Sequence, residues 1–95
     1  MISRHHPSEN RIKAQILSMV ANRDGGTVCP SEVSRMLAIQ DEDADEWRKY
    51  MDAGHAAVDD LKVNGKIELS WKRIPLNHRA GPYRISTPLK DRDRK

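Results

Sequence analysis

Residues Thr27–Leu37 read TVCPSEVSRML, and the way this stretch is read decides the fold. Two β-branched residues, Thr27 and Val28, are followed at once by Cys29 and Pro30, then by polar Ser31 and Glu32, then by Val33, Met36 and Leu37 at helical spacing. Proline suits the first turn of a helix, where its missing N–H costs nothing. Glu32 then faces the unpaired amides and the positive end of the helix dipole. A very short strand therefore ends where a helix starts, with Cys29 in the N-cap position. Val33, Met36 and Leu37 are the predicted buried face of that helix.

Upstream, Ser8 precedes Ile12, Ile16, Met19 and Val20, which form one apolar stripe on a first helix that Ser8 caps. Asp24, Gly25 and Gly26 should end it near Arg23, because they tolerate positive φ and give no reason to continue. Downstream, QDEDADE (Gln40–Glu46) carries five acidic residues and reads as a solvated connector that delivers carboxylates to the next helix start. Trp47, Met51, Gly54, Val58 and Leu61 then alternate spacings of four and three, a third helical stripe. Glycine inside a helix costs about 1 kcal/mol relative to alanine. A break near Met51–Gly54 or the close approach of another element is therefore expected, with Asp52 capping a fresh helix. Asn64 and Gly65 supply the stop.

After Gly65 the period changes to two. Ile67, Leu69 and Trp71 share one face against Glu68, Ser70 and Lys72, and Tyr83 and Ile85 alternate with Arg84 and Ser86. The pattern predicts two antiparallel strands joined by the long loop KRIPLNHRAGP, Lys72–Pro82, and ended by Pro88. Three short helices cannot bury their stripes separately and a lone hairpin is marginal in water, so both must share a core. The expected fold is α+β, mainly α: a winged helix-turn-helix with a three-helix core and a β-hairpin wing. Thr27 and Val28 would pair with the hairpin and tie the first helix to the sheet. Trp47, Met51, Val58 and Leu61 should share one interior with Ile12, Ile16, Val33, Leu37, Ile67 and Leu69.

The 95 residues suffice for a single domain, which at this size buries about two thirds of its unfolded surface. Its ordered core is expected over 8–88, with flexible tails at 1–7 and 89–95. No stretch approaches the roughly 18 consecutive apolar residues of a membrane helix, and MISRHHPSEN lacks the apolar core of a secretion signal. A cytoplasmic protein without a membrane partner is the expectation. A single cysteine cannot form an internal disulfide, which agrees with a reducing compartment. The net charge of +3 is uneven: residues 1–50 hold seven Lys and Arg against eight Asp and Glu, and residues 51–95 hold ten against six. An anionic partner is thus expected at the second half.

The stretches CPSEVSR (Cys29–Arg35), WR (Trp47, Arg48) followed by Met51, NGKIEL (Asn64–Leu69) and GPYRI (Gly81–Ile85) occur in that order. Together they resemble a bacterial family, domain of unknown function 3253, which carries a Cys-Pro-Ser-Glu motif, a Trp-Arg pair, a Gly-Lys/Arg-Ile step and a Gly-Pro-x-Arg ending. The resemblance covers roughly Arg11–Ser86 and implies a winged-helix-like fold, with no established activity and no binding residues to carry over. Two departures stand out. Asp52, Gly54 and His55 replace Pro, an aliphatic residue and Arg, removing a positive charge from the start of the third helix. WKR (Trp71–Arg73) replaces a Gln-Lys-Gly turn in the wing.

In a winged helix bound to double-stranded DNA, the third helix enters the major groove and the wing touches the backbone or the minor groove. Lys72, Arg73, Arg79 and Arg84 lie in a stretch with no acidic residue from Lys72 to Leu89, and are the candidate phosphate contacts. His55, Lys62 and Asn64 on the third helix are secondary candidates, beside Asp59 and Asp60, which would repel phosphates. Three or four phosphate contacts predict that log affinity falls with log salt at a slope of roughly −3 to −4. In the alternative reading the same fold is a protein-docking or homodimerisation unit that presents its first helix and acidic connector.

Glu32, Arg48 and Arg84 also have a structural reading, with Arg84 pairing to Glu32 or Glu68 and Arg35 and Arg48 finding acids in the connector. Cys29 at a helix N-terminus gains thiolate character, which permits a redox switch. No His, Lys or second Cys is fixed beside it by local sequence, and a small buried apolar role is the stronger reading. His5, His6, His55 and His78 lack the paired spacings of a metal site, which wants about four ligands. No cofactor, small-molecule substrate or catalytic constellation is legible, so an enzyme is not expected. Trp47 and Trp71 lie on apolar faces, where core packing is favoured over stacking on bases.

Overall fold

A computed structural model of the chain describes residues 8–23, 26–77, 79 and 81–88. The tails predicted at 1–7 and 89–95, and with them His5, His6 and His78, lie outside the described residues. Ser8 is extended and its hydroxyl accepts the Arg11 N–H at 3.1 Å, which starts helix α1, Glu9–Asn22. Ile12, Ile16 and Val20 are its buried stripe, with Leu17 and Met19 packed beside them.

Helix α2, Pro30–Gln40, starts as the Cys-Pro step predicts. Cys29 is the N-cap, and the Glu32 carboxylate reaches back to accept the Cys29 N–H at 2.7 Å. That bond satisfies an amide that the helix itself cannot. Its buried residues are Val33, Ser34, Leu37 and Ala38, whereas Met36 is 38 % exposed. The inward stripe is rotated from the predicted one because Ser34 and Ala38, not Met36, flank the Val33–Leu37 pair. The helix ends with the Asp43 N–H on the Ala38 carbonyl and the Glu42 N–H on the Ile39 carbonyl. Glu42 holds the left-handed position, φ 58°, that glycine usually takes.

The acidic connector passes into a 3₁₀ helix, Ala44–Tyr50, kinked at Glu46, which runs straight into α3, Met51–Val63. The break expected near Met51–Gly54 falls at Tyr50. Asp52 is not the cap, because the preceding turn already provides for the new helix: the Met51 N–H bonds to the Arg48 carbonyl. Gly54 is buried, and a β-carbon there would meet only the Ser34 hydroxyl at 3.8 Å, an ordinary contact. At the far end Gly65, φ 72°, closes α3, with the Lys66 N–H on the Leu61 carbonyl and the Gly65 N–H on the Lys62 carbonyl.

Among the described residues the sheet has three strands where two were predicted: β1, Glu68–Trp71, β2, Ile74–Leu76, and β3, Arg84–Ser86, in the order β2-β1-β3, all antiparallel. What reads as the first part of a long loop is a tight hairpin, with only Lys72 and Arg73 between paired Trp71 and Ile74. Val28 pairs with Ile85 on the free side of β3, so the short segment at Thr27 and Val28 ties the helices to the sheet as predicted. The core gathers Ile12, Ile16, Val20, Val28, Val33, Leu37, Val58, Leu61, Ile67, Leu69 and Ile85, together with Ala38, Tyr50, Ala57 and Tyr83. Trp47 packs against it from the side, and Trp71 has left it, 38 % exposed. The architecture is α+β, mainly helical, and its topology is compatible with a winged helix. Among the described residues no helix is long and apolar enough to cross a membrane.

Candidate nucleic-acid interface

The hairpin that follows β1 sets the character of the site. A two-residue connection matches the twist of its strands best as a primed turn, and the type I′ form needs positive φ at both central residues and normally recruits Asn-Gly. Here the two residues are Lys72, φ 54°, and Arg73, φ 72°. Each is exposed, and neither has an ion-pair partner among the described residues. Left-handed backbone at a residue with a β-carbon costs on the order of 1 kcal/mol, and such strain is found where a side chain is needed in place. Two cations are therefore held at the tip of the arm in a left-handed backbone conformation that residues with a β-carbon rarely adopt.

The remaining candidates are placed differently. Arg79 lies beyond β2 and folds back onto α3, its Nε and guanidinium nitrogen donating to both Asp59 oxygens at 2.9 and 3.0 Å. The hydrogen bonds from Arg79 hold the Asp59 carboxyl below its usual range. Arg84 points from β3 to the Thr27 hydroxyl, its Nε donating at 2.6 Å. The predicted partner Glu32 pairs instead with Arg23 at 2.8 Å. Arg84 thus knits β3 to the Thr27–Val28 segment, as its structural reading implies, though through a hydroxyl.

On α3, Nδ1 of His55 lies 2.6 Å from the Tyr83 hydroxyl, which pins the helix to the segment entering β3. Burial, and then the nearby Arg79, lower the His55 pKa below its ordinary 6.5. Burial likewise raises the Tyr83 phenol. The Asn64 side chain donates to the Asp60 carbonyl at 2.9 Å and serves the helix end. Lys62 lines a shallow groove of about 260 Å³ with Asp59, Val63, Asn77 and Arg79, between the last turns of α3 and the Arg79 loop. The two acids that argue against phosphate at α3 are both engaged, Asp59 with Arg79 and Asp60 with Lys13 of α1. Their charge is neutralised by cations of the same chain. The seven candidates thus divide: Lys72 and Arg73 stand at the tip, Arg79, His55 and Lys62 cluster along α3, Asn64 caps that helix, and Arg84 sits at the sheet seam.

Two further features lay beyond the sequence reading. Arg35 and Arg48 lie over the Trp47 ring, with guanidinium carbons 4.4 and 4.5 Å from its centre, so they find an indole rather than the acids of the connector. Buried Tyr50 donates its hydroxyl to Asp41 at 2.7 Å, and Asp41 also pairs with Arg11 at 2.9 Å. Burial, reinforced by that hydrogen bond, pushes the Tyr50 phenol up to about 12. At Cys29, half-buried, desolvation opposes ionisation, but the Ser31 hydroxyl 3.2 Å away, the Ser31 and Glu32 amides and the Arg84 charge outweigh it and lower the thiol pKa. No cluster of three or more His, Cys, Asp or Glu side chains suited to a metal occurs among the described residues.

Three helices, an antiparallel sheet and a projecting basic hairpin define the class: a small α+β domain with a charged arm. The family model described as "Protein of unknown function (DUF3253)" matches residues 9–88, and the chain belongs to that family. Among curated proteins, none matches the sequence.

Proposed function

We propose that the protein is a winged-helix DNA-binding module of the bacterial cytoplasm that holds DNA weakly, through phosphate contacts at the hairpin tip. The order of elements supports this reading. Helix, short strand, helix, helix, strand, wing and strand follow one another, with Val28 beside β3 and β3 beside β1. The observation that carries it is the Lys72–Arg73 turn, two exposed cations without acidic partners among the described residues, in a strained conformation at the end of the β1–β2 hairpin. Lys62 on α3 and Lys66 just after it are further cations with no ion pair among the described residues. Arg79 and Arg84 position the wing in this reading, holding its loop to α3 and its last strand to Thr27.

The docking alternative has less support from the surface it would use. The first helix and the connector spend polar groups on each other: Arg11 bonds to Gln40 and Asp41, and Gln40 to Gln15.

Fluorescence-anisotropy titration of duplex DNA over a salt series tests the proposal. Each phosphate contact contributes about 0.9 to the slope of log affinity against log salt, so K72A/R73A should flatten it by about 2. An unchanged slope and affinity in that variant would overturn the reading.

A further inference from the structure

We infer that the hairpin tip takes an unpaired nucleotide of DNA, with Trp71 stacking on the base while Lys72 and Arg73 hold the flanking phosphates; this rests on the nucleic-acid reading above and names the form of DNA it favours. The inner face of the hairpin is apolar along its length. Leu69 and Leu76 face each other at its base, Leu69 fully buried, and the same face continues into the next pair, Trp71 and Ile74. Trp71 is 38 % and Ile74 64 % exposed, and they immediately flank the two strained cations. The Lys72 ammonium lies over the Trp71 ring, 6.0 Å from its centre, at the outer limit of a cation–π contact that an incoming base would replace.

An exposed indole bordered by cations that have no acidic partners among the described residues calls for a partner that is both flat and anionic. A nucleotide is such a partner, and aromatic side chains beside basic grooves are how proteins hold single strands without reading sequence. In an intact duplex the base faces are covered by their neighbours, so only phosphates remain for the tip. The edge of β2 is closed to the other common use of a hairpin, the addition of a peptide strand. In a two-residue hairpin the pair flanking the turn exchanges hydrogen bonds and the next residue turns its N–H outward. That residue, opposite Ser70, is Pro75, and a proline has no N–H to offer. Two apolar side chains are also a small anchor for a lipid surface.

The test compares a single-stranded thymidine oligonucleotide with a duplex of equal length, using anisotropy and tryptophan emission. The wild type should bind the single strand at least as well as the duplex and show quenching as the base stacks on Trp71. W71L keeps an apolar partner for Ile74 but lacks the π face. It should lose about tenfold on the single strand, keep its duplex affinity, and show no quenching of the remaining Trp47. W71F should recover most of the loss. Thermal melts of each variant separate a binding defect from unfolding. Duplex binding that depends on Lys72 and Arg73, with W71L indistinguishable from wild type on both DNAs, overturns this inference and leaves the phosphate reading intact. Absence of binding to either DNA overturns both. A blue shift of Trp71 emission on phosphatidylserine-containing vesicles without quenching by the oligonucleotide overturns the inference in favour of a membrane surface.

Discussion

Val28 and Ile85 exchange both of their backbone hydrogen bonds, N–H to carbonyl at 2.7 and 2.8 Å, although they stand 57 positions apart in the sequence, as do their neighbours Thr27 and Arg84. Both side chains are fully buried. The pair closes the fold: it joins the segment between α1 and α2 to the last strand, and the Thr27–Arg84 hydrogen bond lies immediately beside it. Truncating Ile85 removes packing at this junction with nothing able to refill it. Ile85→Ala should cost about 2–5 kcal/mol in urea unfolding. A loss well under 1 kcal/mol would mean that the sheet is not part of the cooperative core.

Histidine 55 gives the fold a pH dependence whose sign is fixed by its surroundings. Burial and Arg79 lower its pKa in the folded state, while Asp52 and Asp59 oppose them more weakly. The unfolded chain therefore takes up a proton first as pH falls. The stabilisation from the neutral ring, bonded to Tyr83, is complete above the ordinary value of 6.5 and is lost as pH drops from there through the folded-state value. Melting temperature should fall between about pH 7.5 and about pH 5, and His55→Gln, which retains a hydrogen-bonding group for Tyr83, should flatten that fall. Equal slopes in the two proteins would assign the dependence to other groups.

The parts of this fold that the sequence announces are those governed by local chemistry. Ser8, Cys29-Pro30-Ser31-Glu32 and Asn64-Gly65 mark helix ends because capping needs particular side chains at particular offsets, and all three do what their residues suggest. Strand β2 went unseen for the converse reason. Its turn uses Lys72 and Arg73 where Asn-Gly would signal a hairpin, and Pro75 sits in the middle of a three-residue strand. The turn after α2 likewise lacks a glycine signal, because Glu42 holds its left-handed position, and there the acidic run from Gln40 marks the helix end instead. The candidate site was legible as composition, a basic stretch free of acids, but not as geometry. Arg79 and Arg84 look like Lys72 and Arg73 in sequence, and only tertiary contacts 20 residues away at Asp59 and 57 residues away at Thr27 separate them.

Cysteine 29 should behave as a more acidic thiol than a free one. Desolvation works against its thiolate, and the Ser31 hydroxyl is the first of the groups that outweigh it. The rate of alkylation by iodoacetamide should therefore rise with pH to a midpoint below the ordinary value of 9.0. Ser31→Ala should move that midpoint upward, whereas a midpoint common to both proteins would discount the hydroxyl.

Strain at the hairpin tip allows stability and binding to be pulled in opposite directions. Lys72 and Arg73 each hold left-handed backbone at a cost on the order of 1 kcal/mol, and Asn-Gly is the pair that adopts this turn without it. K72N/R73G should therefore stabilise the domain by about 1–2 kcal/mol, raising its melting temperature by roughly 4–8 °C for each kcal/mol gained. The same change removes two cations from the tip, so the salt dependence of duplex binding should flatten by about 2, as in K72A/R73A. Because the variant is more stable than wild type, lost affinity cannot be ascribed to unfolding. Higher stability with full affinity would remove Lys72 and Arg73 from the interface, and lower stability would show that the native pair contributes more to the fold than its backbone strain costs.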